Sequence, residues 1–248
     1  MSNSNKVDFG TKKVEAGDKT RLVDDVFKRV AYRYDIMNDL ISLGSHRIIK
    51  RMAVEMCGAR EGQTILDLAG GTGDISALLA PIVGKNGQIV LSDMNPQMIN
   101  VGRERLLNSG KTQISFCQNI AEHLPFSNER FDTIFIAFGL RNFTDKRKSL
   151  TEALRVLKPN GILLILEFSH PHDPRLKAAY NAFQSFWPLA GELVAGDRES
   201  YEYLVESIEK HPKQKALKLM MEDAGFVSVE YHDLIGGVCS IHRGYKGY

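Results

Sequence analysis

Hydrophobic positions along this 248-residue chain switch repeatedly between two periods. Short apolar runs alternate with stretches whose apolar residues return every three or four positions, as strands alternating with helices would require. The first helical face carries Val23, Val26, Phe27, Val30 and Tyr34, and a second stretch, 46–57, carries Ile48, Ile49, Met52, Ala53 and Met56. Alternating units follow. Strand 64–69 precedes helix 74–82, and strand 88–93 precedes helix 96–108, where Pro96 suits a first helical turn. Strand 113–119 ends in a loop through Pro125, and strand 131–138 precedes helix 146–157. Lys158-Pro159-Asn160-Gly161 reads as a turn. Residues 162–168 are the most apolar run and are expected to form a central parallel strand.

Beyond residue 168 the alternation stops. Residues 169–212 are aromatic-rich, with Tyr180, Phe183, Phe186, Trp187, Tyr201 and Tyr203, and read as helical or irregular. A last helix, 213–224, is stopped by Gly225. Strands 227–234 and 238–245 meet near Gly236-Gly237 as a hairpin. The expected fold is therefore α/β, a mostly parallel sheet with helices on both faces and a C-terminal antiparallel hairpin. Residues 1–22 mix Lys, Asp, Asn and Gly without period and read as a flexible segment. Residues 23–248 read as one domain.

The densest chemical signal is Thr64-Ile65-Leu66-Asp67-Leu68-Ala69-Gly70-Gly71-Thr72-Gly73-Asp74, followed twenty residues after Gly73 by Asp93. A buried strand breaks there into a glycine loop ahead of a helix, and Gly71 and Gly73 are expected to let backbone approach a ligand. Asp93 closes the next strand, where an acid reaches the ribose hydroxyls of a bound nucleotide-like ligand. The dinucleotide fingerprint wants glycine at its first, third and sixth positions. Counting from Gly71 puts Ser76 at the sixth, and counting from Ala69 puts Asp74 there. Asp74 at the mouth of the loop would repel a pyrophosphate but not a sulfonium or an ammonium. Gly110-Lys111-Thr112 fails as a phosphate loop because Arg105 stands where its leading glycine belongs. S-adenosylmethionine, cationic and free of phosphate, is the adenosyl cofactor that fits.

Composition narrows the partners. A net charge of +2 gives no electrostatic case for nucleic acid. Cys57, Cys117 and Cys239 are odd in number and widely spaced, which argues against a disulfide framework or zinc cluster and for a reducing cytosol. No stretch approaches the ~18 apolar residues of a membrane span. His170-Pro171-His172-Asp173 is not read as a metal site, because the proline spaces the side chains irregularly; no metal is expected.

Several motifs together resemble a known family. They are Tyr34-Asp35-Ile36-Met37-Asn38-Asp39, Gly44-Ser45-His46-Arg47, the loop from Asp67 to Asp74, Ala121-Glu122-His123-Leu124-Pro125-Phe126, Phe138-Gly139-Leu140-Arg141-Asn142, Leu157-Lys158-Pro159 and Glu167-Phe168-Ser169. The chain resembles the class I S-adenosylmethionine-dependent methyltransferases, and more narrowly the C-methyltransferases of ubiquinone and menaquinone biosynthesis, over nearly all of 23–245. The resemblance implies a Rossmann-like sheet of seven strands, residues 23–60 as a helical cap and 169–212 as a substrate lid. It implies that Asp67, Gly71, Thr72 and Gly73 cradle the methionine part of the cofactor, while Asp93 and Met94 take the ribose side. Asn119, Ile120 and Ala121 would hold the adenine, with Ala137 contributing from the next strand. Ile120 and Ala137 depart from the family pattern, which carries Asp or Asn and commonly Ser at those positions.

The implied substrate is a polyprenyl quinol, methylated on a ring carbon that becomes nucleophilic when a neighbouring hydroxyl ionises. Arg141, permanently cationic, and Asn142 are expected to hold that hydroxyl, and His46 has a suitable side chain for the base. Tyr34, Asp35, Glu167 and a bound water compete for the same role. A helix start with a solvated polar face is the plainer reading of His46-Arg47. Tyr34, Asp35 and Tyr201 are assigned to the substrate pocket, with Tyr203 beside Tyr201. The expected location is cytoplasmic, with loose contact at the inner membrane surface or within a quinone-biosynthesis complex, and the terminal hairpin offers an edge for a homodimer. An O- or N-methyltransferase, an NAD-dependent oxidoreductase and a cofactor-binding module without catalysis are the competing readings.

Overall fold

The structure is a computed structural model that describes residues 6–30, 38–39 and 41–248. Strands β1 (Lys6–Phe9) and β2 (Lys12–Glu15) pair antiparallel, Lys6 opposite Glu15, and lead directly into helix α1 (Ala16–Val30). The stretch expected to be irregular to about residue 20 is thus a hairpin and a helix start. The hairpin gains a fixed seat because Glu206 accepts from Thr11 N at 3.0 Å, a contact 195 residues away that no local pattern could signal.

Helix α2 (His46–Met56) is followed by β3 (Thr64–Leu68), α3 (Asp74–Val83), β4 (Gln88–Asp93), α4 (Pro96–Asn108), β5 (Ile114–Gln118) and β6 (Phe131–Ala137). Next come α5 (Lys146–Val156), β7 (Leu157–Phe168), α6 (Pro174–Ser185), α7 (Trp187–Ala195), α8 (Arg198–Lys210), α9 (Gln214–Asp223), β8 (Phe226–Leu234) and β9 (Cys239–Lys246). The seven-stranded order is β5-β4-β3-β6-β7-β9-β8. β5 through β7 run parallel, and β9 is antiparallel to both its neighbours. Because β7 meets β9, the most apolar strand is parallel on one side only. The expected turn at 158–161 lies within the strand as an irregularity, with Asn160 at φ 61° and the pairing jumping from Phe131–Leu157 to Thr133–Ile162.

Strand alternation sorts the core into two layers, since successive side chains face opposite ways. Ile65, Ile89, Leu91, Phe135, Leu164 and Leu166 pack with α2, α3 and α4 on one face. Leu66, Leu68, Val90, Ile134, Leu163 and Ile165 pack with α5 and α9 on the other. Chain order reverses where β3 lies between β4 and β6. A crevice therefore opens at the carboxyl ends of β3 and β6, the position at which open α/β sheets bind ligands.

Gly73 caps α3 at φ 84°, and a Cβ there would come 2.6 Å from Leu106 Cδ1 and 2.9 Å from Leu91 Cδ1. Its missing side chain is required by the packing of α4 against the loop. Gly73→Ala should therefore combine left-handed strain with overpacking and lower stability by roughly 2–4 kcal/mol. Chemical denaturation should show this as a lower midpoint at unchanged slope.

Candidate active site

Two adjacent strands end in residues at positive φ, Ala69 after β3 (57°) and Phe138 after β6 (55°). That region is uncommon for alanine and an outlier for a bulky aromatic. Backbone bonds hold both turns: Gly70 N donates to Ser92 O at 3.0 Å, and Phe138 N to Leu166 O at 2.8 Å. The turns touch, because a Cβ on Gly139 would lie 2.7 Å from Ala69 Cβ. Around them lie two cavities.

The first cavity is lined by Ala69, Gly71, Asp93, Met94, Asn119, Ile120 and Ala121 from the sheet edge, by Asn142, and by Thr20, Val23 and Phe27 from α1. Asp93 Oδ2 accepts from Gly71 N at 3.0 Å and Oδ1 from Asn95 N at 2.9 Å, so each oxygen keeps a lone pair for a hydroxyl. Burial pushes the Asp93 carboxyl up to about 6, against the pull of those backbone donors. Asn119 N donates to Asp93 O at 3.0 Å, which sets the amide side chain beside the carboxylate. A carboxylate, an amide, a glycine backbone and apolar walls converging on one crevice fit an adenosyl group.

Four residues assigned to that ligand do other work or lie off this wall. Asp67 is fully buried, and its Oδ2 accepts from Ser76 N at 2.9 Å and Ser76 Oγ at 2.6 Å, tying β3 to α3. Burial pushes its carboxyl up to about 6. Thr72 is buried, Gly73 packs as described, and Ala137 packs into the core at the end of β6. The charge reasoning about Asp74 also changes. Its oxygens lie 2.7 Å from Lys50 Nζ and 2.6 Å from Arg105. Burial alone would raise its carboxyl, but these two cations outweigh that and hold it at about 2. Asp74 is thus neutralised by protein, not by a ligand.

The second cavity, about 240 Å³, lies on the other side of Phe138. His46, Arg141, Phe168, Phe183, Trp187 and Leu204 line it, with Leu43 and Ile235 at its exposed rim. Phe138 lines both cavities. Arg141 NH1 lies 3.0 Å from Glu167 Oε1 and also donates to Phe138 O, while its backbone N donates to Glu167 Oε2 at 3.1 Å. The guanidinium is thus one half of a buried ion pair. Glu167 also accepts from Phe168 N at 2.9 Å, which leaves it no role as a base. Asn142 faces the first cavity, and its Oδ1 accepts from Tyr203 Oη at 3.0 Å. The two residues expected to share one hydroxyl are therefore divided between the cavities.

His46 is 6% exposed, which overturns the solvated-face reading. Its Nε2 lies 3.0 Å from Asp39 Oδ1. A carboxylate only accepts, so Nε2 carries the proton, and the neutral ring keeps its lone pair on Nδ1. Nδ1 has no hydrogen-bond partner among the described residues. Tyr201 does not reach the cavity; it is buried under α7, where a side chain on Gly191 would overlap its ring. The run Ser207–Lys210 completes α8. Tyr34 and Asp35 lie outside the described residues. Phe138 and Asp39 join the site with no role assigned from sequence, although both stand in motifs of the resemblance, and Tyr203, expected beside Tyr201, reaches Asn142 instead.

The Asp93 carboxyl takes up its proton at higher pH folded than unfolded, so its burial costs stability above about pH 6, and that cost is relieved as pH falls to 4. Asp93→Asn lacks this titration. Lowering the pH from 7 to 4 should shift the stability gap toward the parent protein by on the order of 2 kcal/mol, measured by urea unfolding of both proteins at each pH.

Comparison with known proteins fits this geometry. Solved structures of S-adenosylmethionine-dependent methyltransferases share the fold. One from Aquifex aeolicus has a TM-score of 0.61 at 19% identity and covers 86% of this chain and 97% of its own. One from Thermotoga maritima has 0.63 at 18%, covering 90% and 98%. Among curated relatives, ubiquinone/menaquinone biosynthesis C-methyltransferase UbiE of Haemophilus ducreyi is 53% identical over 241 residues, 96% of this chain and 93% of its own length. The UbiE of Klebsiella pneumoniae is 51% identical over 240 residues, with 96% of each chain covered. The family model matches residues 13–246, and the chain belongs to the ubiE/COQ5 methyltransferase family.

Proposed function

We propose that this S-adenosylmethionine-dependent C-methyltransferase of quinone biosynthesis holds its cofactor in the first cavity and the ring of a polyprenyl quinol in the second, the two meeting at the edge of the Phe138 ring so that the ring carbon reaches the methyl group directly. The observation that carries the reading is that Phe138 lines both cavities. When bound, S-adenosylmethionine supplies an electrophilic methyl group on a sulfonium. Asp93 accepts from its ribose hydroxyls, Asn119 meets its adenine, and α1 covers it, anchored by Asn95 Nδ2 donating to Asp24 Oδ1 at 2.9 Å. Holding two reactants in such juxtaposition is worth up to ~7–11 kcal/mol in intramolecular models.

In the second cavity His46 is the base. Asp39 fixes its tautomer, and Nδ1 takes the quinol hydroxyl proton, which puts electron density on the ring carbon ortho or para to the oxygen. Arg141, already paired with Glu167, orients the phenolate oxygen more than it neutralises it. After the new carbon–carbon bond forms, His46 Nδ1 returns its proton to the ring oxygen and the proton of the methylated carbon passes to water, which restores the aromatic ring. Within the cap, α1 covers the cofactor and residues 41–49 the quinol, while 169–212 act as the substrate lid. The rim residues Leu43 and Ile235 and the neighbouring Leu189 and Leu193 of α7 are exposed apolar groups. They suit an isoprenoid tail still partly in the inner leaflet of the cytoplasmic membrane. No helix among the described residues is long and apolar enough to cross a membrane, so contact would be peripheral.

His46→Asn should lower kcat by about 10²–10⁴-fold with both a demethylmenaquinol and a 2-polyprenyl-6-methoxy-1,4-benzoquinol, while the affinity for S-adenosylhomocysteine stays within twofold. Near-normal turnover would remove His46 from the mechanism. Arg141→Ala is a poor substitute test, because stranding buried Glu167 costs about 3–5 kcal/mol of stability. For the membrane reading, Leu43→Glu combined with Leu193→Glu should abolish flotation with phosphatidylglycerol vesicles while leaving turnover of a short-tailed quinol intact. Unchanged flotation would place the membrane contact elsewhere.

A further inference from the structure

A third cavity, about 240 Å³, is enclosed by the β1–β2 hairpin, α1, the segment around Arg141–Lys146 and the end of α8. Its wall carries Lys6, Lys13, Lys19, Lys146, Lys210 and Arg141 against a single carboxylate, Asp8. Asp8 is committed to Lys13, 2.8 Å away, and Arg141 to Glu167. Glu122 and Asp8 act on Lys19 and Lys146 through space, but neither is hydrogen-bonded to these two ammonium groups among the described residues.

Two of these ammonium groups are not solvated surface. Lys19 is 3% exposed, and its Nζ donates to Phe143 O at 3.0 Å. Lys146 Nζ donates to the same carbonyl at 3.3 Å and to Arg141 O at 3.2 Å. An ammonium has three donors, so Lys19 keeps two and Lys146 one. Burial, and then the neighbouring Lys146 charge, lowers Lys19 to about 8; burial lowers Lys146 as well. One buried and one half-buried cation sharing a carbonyl, with no carboxylate in contact among the described residues, are costly unless an anion joins them. Lys210, at the end of α8, adds a cation on a third wall.

We propose that this cavity is a binding site for a small oxyanion of the phosphate class, held by Lys19, Lys146 and Lys210. Donors arriving from α1, α5 and α8 suit a multiply charged anion whose oxygens face several ways, whereas a carboxylate presents two oxygens in one plane. Occupancy would brace the turn that carries the catalytic groups. Lys146 is bonded to Arg141 O, and Tyr203, which also lines the cavity, donates to Asn142. The proposal does not rest on methyl transfer, and its test needs no quinol.

The full-length protein is titrated with inorganic phosphate and with pyrophosphate by calorimetry, at an ionic strength held constant with sodium chloride so that general screening cancels. Saturable binding of either anion is expected. Lys210→Gln, at an exposed position that folding does not need, should weaken it about tenfold, the loss of one charge-assisted bond. Lys146→Gln should weaken it further. Absence of saturable heat with both anions, or unchanged affinity in Lys210→Gln and Lys146→Gln, overturns the assignment.

Discussion

The site exists because two neighbouring parallel strands are made to turn away from each other at the same level. Ala69 and Phe138 both adopt positive φ, a conformation costing roughly 1–3 kcal/mol per residue. Neither turn could hold it alone. Each is fixed by a backbone bond to the next strand out, to Ser92 on one side and Leu166 on the other, and the two meet where Gly139 has no side chain. Relaxing either turn would close the crevice or tilt the Phe138 ring that separates its two halves. The strain is thus the physical reason that the two cavities share a wall.

Charge is used first to build this frame and only then for chemistry. Asp67 fastens β3 to α3, Asp74 ties α2 and α4 to the glycine loop through Lys50 and Arg105, and Glu167 grips the turn after Phe138 through Arg141. These groups are buried or partly buried, where removing one partner costs more than the pair contributes. Asp93 and His46 border the two cavities and keep hydrogen-bonding capacity, Asp93 beyond its backbone donors and His46 at Nδ1.

The elements outside the sheet complete the enclosure. Helix α1 covers the first cavity, residues 41–49 and the aromatic segment cover the second, and the Phe183 and Trp187 rings, 5.6 Å apart, form its apolar wall. The aromatic stripe that reads as simple core packing is both core and wall, because Trp187 is buried yet borders the cavity. Tyr201 and Tyr203, two residues apart on a helix, diverge completely: one packs under α7, and the other reaches Asn142.

The order of strands and helices was legible from the period of apolar residues, because that period is imposed locally by backbone geometry and by burial of one face. The glycine loop and Asp93 were legible for a related reason, since tight turns and strand-end carboxylates constrain residue type at fixed spacing. What sequence could not supply was partnership across distance. That Asp74 is neutralised by Lys50 and Arg105, that Glu167 is spent on Arg141, that Asp39 holds His46 and that Tyr201 lies under Gly191 all depend on side chains brought together by folding. A residue's type sets which bonds it can make; only the packed chain decides which of them are already taken.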